Sequence, residues 1–463
     1  MFRISAIAAL AASCGVAAAV PDVICGSLDD MNHYTSGGPI NGVRAYAVGT
    51  TACNAGDVNL NWIDGSINHP VISGTIYKLK DGRLTQLGAT FVKHSFASLQ
   101  GNACGFGCGS GGTFQALGPG CSDPYGAGLN GGQTGLGPRS EINAYNGNFV
   151  YPFTTINQSG NAIFKRIQVP ASEMPDSSAQ FFVEGQYVIK DEMNPATGLP
   201  YIDTNPGSPW AGRPVSWNNV TYERMNVQSN GNASTTGAPN RGVAAIYAWQ
   251  DHGNGTNNAD NSVEIVEVPV PGEGLVNVAC KVTDLGDGTY RYDYAVHNQN
   301  SDLNVGSFSV PAAGSISGHF FNDIDHHSGP DGLISGLDWA PVEGAGSITW
   351  SSEPFIGNPN GNAIRWGTMY NFSFVSDAAP VEGEVSVGMW KLPGMVLSAD
   401  VLVPGGVSCP ADLTGDGVLD FFDVSAFLNA FNAQDSIADF TGDGVFDFFD
   451  VSAFLNSFNA GCP

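Results

Sequence analysis

Between about residues 20 and 400 the apolar positions come in short runs, either alternating with polar residues or continuous over six to nine positions. Alternation at period two marks a strand with one buried face, and a continuous run marks a strand covered on both. The stretches 71–79, 181–189, 262–270, 274–282, 289–297 and 305–310 fit one or other pattern. Asp81-Gly82 and Asp287-Gly288 stand between such runs and predict tight hairpins. No stretch of this region sustains a 3.6-residue period. The pattern predicts a mainly β fold, a large β-sandwich-like region made of one or two β domains across 20–401. Residues 195–242, rich in Asn, Gly, Ser and Thr, read as a loop. A subdivision of the region could fall there, or the segment could be a long insertion.

After a linker at 402–408, which contains Pro404-Gly405-Gly406, the texture changes. Residues 412–433 and 439–460 are near-copies 27 positions apart that differ only at Leu413/Phe440, Leu419/Phe446 and Ala430/Ser457. Each opens with a twelve-residue acidic loop. Calcium takes six to eight hard oxygen ligands, and such a loop supplies them from positions 1, 3, 5, 7, 9 and 12. These are Asp412, Thr414, Asp416, the Val418 carbonyl, Asp420 and Asp423 in the first copy. In the second they are Asp439, Thr441, Asp443, the Val445 carbonyl, Asp447 and Asp450. Gly417 and Gly444 occupy the sharp turn at position 6. Four carboxylates on so short a loop repel one another without a cation, so two Ca2+ ions are expected. Phe422, Phe427, Leu428 and Phe431, and their copies Phe449, Phe454, Leu455 and Phe458, recur at helical spacing. A helix should follow each loop, and the two helices should pack together. The expected C-terminal module, 409–463, is therefore small and all-α, with two calcium loop-helix repeats.

This pattern resembles the dockerin module of cellulosomal and related secreted proteins. The resemblance covers about 409–463 and rests on the two Asp-x-Thr-Gly-Asp-Gly-Val-x-Asp-Phe-Phe-Asp loops. It departs from dockerins in having Thr at position 3, where Asn or Asp is usual, and in its Phe-rich helices. The flanking Cys409-Pro410 and Gly461-Cys462-Pro463 are similar to a Gly-Cys-terminated variant of such tails. The resemblance implies a Cys409–Cys462 clasp and an anchoring or docking role, with a cohesin-like or cell-surface component as partner.

The chain has 43 acidic against 17 basic residues. So negative a surface repels phosphate backbones, which argues against nucleic acid as a partner. Residues 1–19 read as a signal peptide: one early charge at Arg3, an apolar run, then Ala17-Ala18-Ala19. No later run of about 18 apolar residues follows, so no transmembrane segment is expected in the mature chain, which should be secreted or held at the cell surface. Eight cysteines then remain. Cys53, Cys104, Cys108 and Cys121 could bind zinc or form two disulfides pinning a Gly-rich loop, the latter suiting an exported protein. Cys25 and Cys280 could pair across the large domain.

The large domain offers one denser cluster. If 319–327 is extended, His319, Asp323, Asp325 and His327 share a face. With His69 and His94 they could build a transition-metal site, against the plainer reading of hydrogen-bonded polar residues at strand ends. Glu141, Glu184, Asp191 and Glu192 are candidate carboxylates for glycoside hydrolysis. Leu285-Gly286-Asp287-Gly288 lacks the later carboxylates of a calcium loop and reads as a hairpin turn. Two functions follow as expectations. One is a secreted calcium-binding protein docked by its tail in a polysaccharide-associated or surface setting, with a glycan as possible ligand. The alternative is a secreted metal- or carboxylate-dependent enzyme acting on a polysaccharide or other polymer. Exposed tryptophans among Trp62, Trp210, Trp249 and Trp366 would support glycan binding.

Overall fold

The computed structural model describes residues 19–109, 111–154, 159–325, 334–344, 346–405, 411–414 and 418–461. The chain is mainly β with several antiparallel sheets and a small helical region at its C-terminal end. It divides into two compact units. The first takes the chain up to Ile76, with Ala89–Ser177 and Phe181–Ala245; the second takes Tyr77–Gly88, Ser178–Gln180 and everything from Ile246.

One sheet, most of whose residues belong to the first unit, has the strands Val92–His94, Val71–Lys80, Gln180–Val188, Val220–Val227 and Ala233–Arg241 in that order. Val71–Lys80 is buried at nine of its ten positions, so its apolar residues do not alternate strictly, and Ser73, Thr75 and Lys78 are buried with them. Arg83–Ala89 alternates, and it joins Val71–Lys80 through Asp81 and Gly82, both at positive φ (51° and 76°), as a two-residue hairpin turn demands. Val220–Val227 and Ala233–Arg241 fall inside the stretch read from sequence as a loop. They are paired strands, and the second is half-exposed to exposed along its length, so its polar composition reflects a thinly covered edge.

The second unit contains two five-stranded sheets. One has the order Val263–Pro269, Leu275–Asp284, Tyr290–Asn298, Thr368–Ser376, Ile316–Asn322. The other runs Pro341–Gly344, Ser347–Ser351, Val305–Pro311, Pro380–Met389, Val396–Pro404. Aromatic rings from the two interlock: Phe308 lies 4.9 Å and Trp350 5.3 Å from Phe372, and Tyr294 lies 5.5 Å from Phe308. Face-to-face packing of this kind is the expected sandwich. The last strand continues to Pro404, three residues into the stretch read as a linker.

The helical region also belongs to this unit. Phe421–Ala433 and Phe448–Ala460 each start at an aspartate, Asp420 or Asp447, in a reciprocal capping box with Asp423 or Asp450. Their shared core is small: Ala411, Phe427, Ala438 and Phe454, with the Phe427 and Phe454 rings stacked at 4.1 Å.

Candidate functional site

The two acidic loops have the same internal geometry wherever both are described. Asp450 closes the second: its Oδ1 accepts from the Thr441 N–H at 3.0 Å and the Thr441 hydroxyl at 2.9 Å, and its Oδ2 from the Asp447 N–H at 2.9 Å. Asp423 receives the matching bonds from Thr414 and Asp420 at the same three distances. Both residues are buried. Backbone N–H groups, Asp420's for Asp423 and Asp447's for Asp450, lead the effects that hold them below the usual carboxylate range, so both stay ionised. At the loop's entry, Asp439 accepts from the Gly442 and Gly444 N–H groups, each at 2.8 Å, and Gly444 has φ +76°. Asp416 and Gly417 of the first loop lie outside the described residues.

These residues suit a hard cation. Every side-chain donor is an oxygen, and residues 411–461 hold nine aspartates and no Lys, Arg or His to balance them. Among the described residues no three or more His, Cys, Asp or Glu side chains are gathered as a metal centre. The loop carboxylates are instead spread over their own backbone N–H groups, which preorganise them individually.

The helices bury only part of the expected stripe: Phe431 and Phe458 pack against the core, while Phe422, Leu428 and their copies do not. Phe427 and Phe454 are inside, but Phe421, Phe422, Phe448 and Phe449 are 77%, 66%, 76% and 67% exposed. Leu428 and Leu455 are also exposed. The reason is that Asp423 and Asp450 turn inward to close the loops, which rotates the neighbouring phenylalanines out. Each repeat thus displays a pair of phenylalanine rings beside its acidic loop, 6.4 Å apart in the first and 6.5 Å in the second.

In the first unit His69 and His94 do meet, Nε2 to Nδ1 at 3.0 Å. Phe149 lies 5.1 Å from each ring, and Phe153 stacks on His94 at 4.4 Å. Gly137 backs so closely onto His94 Nε2 that a Cβ there would stand 2.7 Å from it. Burial lowers both imidazoles, His94 to about 3 with further help from His69 and Lys93, so the pair is neutral. The two rings sit in a packed aromatic box, and among the described residues no group of three or more His, Cys, Asp or Glu that could hold a metal is gathered there. His319, Asp323 and Asp325 belong to the second unit. His319 pairs with Glu343 at 3.0 Å, and Asp323 accepts from Asn362. The strand ends at Asn322 and shifts register between Ser317 and Phe320, so the period-two face never forms. His327 lies outside the described residues.

Cys53–Cys104 and Cys108–Cys121 are disulfides, which settles that cluster against zinc. Cys25 and Cys280 are both buried thiols rather than a pair; Cys280 Sγ contacts the Leu402 carbonyl oxygen at 3.3 Å. Cys409 and Cys462 lie outside the described residues. Trp62, Trp249 and Trp366 are core residues, and Trp210 packs on the Cys53–Cys104 bridge, so none of the four is an open aromatic platform. Of the candidate carboxylates, Glu184 and Glu192 are buried, Glu141 accepts from the Thr154 N–H, and Asp191 holds Asn61.

No protein-family model matches the chain, and no curated protein does. Among solved structures it is similar to the exo-chitosanase CsxA of Amycolatopsis orientalis, at 9% identity and a TM-score of 0.14, over 77% of this chain and 25% of that one. A structure concerning inhibition of the exo-β-D-glucosaminidase CsxA by a glucosamine-configured castanospermine gives the same figures. The chain spans about a quarter of the length of these proteins. Scores this low carry no argument about function.

Proposed function

We propose that this is a secreted calcium-binding protein whose dockerin-like C-terminal module docks a disulfide-braced, β-rich body onto a partner outside the cell. The observation that carries the reading is the exposed phenylalanine pair on each repeat, Phe421–Phe422 and Phe448–Phe449. Four largely exposed rings on a module whose buried core has four residues are a large apolar surface for so small a unit, and such surfaces mark interaction sites.

Calcium in each loop would neutralise the carboxylates that otherwise repel one another. Asp439, Thr441, Asp443, the Val445 carbonyl, Asp447 and Asp450 would hold one ion, and the equivalent residues 412–423 the other. Asp450 and Asp423 link loop to helix, since each also caps the helix that carries the phenylalanines. Folding of the loop therefore sets the orientation of the displayed rings. Extracellular modules of this kind bind calcium at about 10⁻⁴–10⁻³ M, which matches an ion always present outside the cell. Two disulfides fit the same compartment. The alternative, a polymer-acting enzyme, has no observation among the described residues in its favour.

The test is sedimentation of the full chain with the envelope fraction of the cells that produce it. Co-sedimentation should require calcium and should be lost when Phe421, Phe422, Phe448 and Phe449 are changed together to Ser. Binding that persists in chelator, or in the folded fourfold variant, would overturn the proposal.

A further inference from the structure

The first unit contains a buried group of oxygens lacking their donors. Asp22 immediately precedes the strand Val23–Ser27, Glu192 ends the single turn Lys190–Glu192, and Asn218 and Asn219 link the turn Val215–Trp217 to the strand Val220–Val227. All four side chains are at most 5% exposed. Their contacts close a ring. Asn218 Nδ2 donates to Asp22 Oδ2 at 3.2 Å, the Val23 N–H donates to Glu192 Oε1 at 2.9 Å, and Asn219 Nδ2 donates to Glu192 Oε2 at 2.7 Å. Chain adjacency of Asp22 with Val23, and of Asn218 with Asn219, completes it.

Each amide has its nitrogen on a carboxylate, so the carbonyl oxygens are left over. Asp22 Oδ1, Asn218 Oδ1 and Asn219 Oδ1 are all buried without a hydrogen-bond partner. A buried acceptor without a donor destabilises the fold, and three on one ring of contacts form a concentrated deficit. The deficit is one-sided, since every orphan on the ring is an acceptor. The charges acting on the pair are also one-sided: Asp203 acts on Asp22, and Asp22 and Asp191 act on Glu192. Burial first, and the acidic neighbours with it, push both carboxyls up, Asp22 to about 7, so an ionised pair here needs a cation, which a water molecule donating two hydrogens does not supply.

We propose that Asp22, Glu192, Asn218 and Asn219 form a buried calcium site in the first unit, separate from the acidic loops of the tail. Two carboxylates match the charge of a divalent ion. Amide carbonyls and carboxylates, with no sulfur or imidazole, are the donors of a hard cation. Calcium is favoured over magnesium because it accepts irregular, largely dehydrated coordination, whereas magnesium keeps several waters. Asp22, Glu192 and Asn219 come from segments up to about 200 residues apart, so the ion would tie the start of the mature chain to the middle of the unit.

The site does not rest on the docking proposal, and the experiment separates the two. In the full chain the tail is silenced by Asp412→Ala, Asp423→Ala, Asp439→Ala and Asp450→Ala. Calcium per chain is then measured by elemental analysis after equilibrium dialysis at pH 7.5 and about 1 mM free calcium. One ion per chain is expected, with a calcium-dependent rise in the melting temperature of the β-rich body. Adding Asp22→Asn and Glu192→Gln should abolish both. If that variant does not fold, the single change Asn219→Asp, which supplies a third carboxylate, should tighten binding at least tenfold. Absence of bound calcium in the tail-silenced chain overturns the proposal and leaves two protonated carboxyls as the occupant. Calcium retained at one ion per chain by the folded Asp22→Asn, Glu192→Gln variant, or unchanged affinity in Asn219→Asp, overturns it as well.

Discussion

Replacing Phe427 by alanine should unfold the C-terminal module, while replacing Phe422, five residues earlier on the same helix, should leave it folded. Phe427 is 1% exposed and stacks face to face on Phe454, 4.1 Å away with planes 5° apart. Phe422 is 66% exposed. Truncating a buried phenylalanine costs about 3–5 kcal/mol, whereas an exposed one changes stability by about 0.5 kcal/mol or less. A unit of this size has a total stability of only about 3–7 kcal/mol, so losing one of two stacked rings removes most of it. If two ions bind on folding, that loss moves the calcium midpoint upward by about 10- to 60-fold, at about 1.4 kcal/mol per decade for each ion. The assay is a calcium titration of the full chain followed by far-ultraviolet circular dichroism, with both variants alongside the parent. Phe427→Ala should need much more calcium to recover its helix signal, and Phe422→Ala should follow the parent. Equal midpoints for the two variants would refute the core assignment, and so would a larger shift for Phe422→Ala.

Three further outcomes are expected. The neutral His69–His94 pair contributes stability that is present above about pH 6.5 and is lost as pH falls towards 3, because burial lowers both imidazoles in the folded state. His94 alone should cost about 2 kcal/mol between pH 7 and pH 5. Denaturant unfolding at the two pH values should therefore show a smaller loss in His94→Leu than in the parent, and equal losses would contradict the assignment. Cys108→Ser with Cys121→Ser should destabilise the first unit by about 3 kcal/mol, since the bridge closes a short loop, as read by its melting transition with the other disulfide intact. Gly444→Val should weaken calcium binding by the second loop and spare the first, because φ is +76° at that position and β-branched residues do not accept it. A calorimetric titration would then resolve one weakened site, and two unchanged sites would count against the loop geometry.

The strands were legible because burial leaves a direct trace in composition. Val71–Lys80 is covered on both faces and does not alternate; Arg83–Ala89 is covered on one and alternates in burial. The trace fades where a strand is thinly covered, as in Ala233–Arg241, whose polar residues imitate a loop. The helices of the tail are equally plain, and so is half of their buried stripe, Phe427 and Phe431 with their copies Phe454 and Phe458. Hydrophobic periodicity gives Phe422 and Phe427 equal weight and cannot register that Asp423 turns inward to accept three hydrogen bonds. The histidines are a separate case. His69 and His94 come together through the pairing of Val71 with His94, and nothing in their local sequence distinguishes an aromatic box from a metal site. The ring around Asp22 and Glu192 was invisible because its members are spread from residue 22 to residue 219 and none sits in a motif.

On the proposed reading, calcium folds the module that displays the phenylalanine pairs. Hydrogen–deuterium exchange on the full chain, with calcium and with chelator, tests it most directly. Amides of Phe421–Ala433 and Phe448–Ala460 should be protected in calcium and exchange freely in chelator, while the strands Leu275–Asp284 and Tyr290–Asn298 keep the same protection in both. Equal protection of the two helices in chelator and in calcium would contradict the claim.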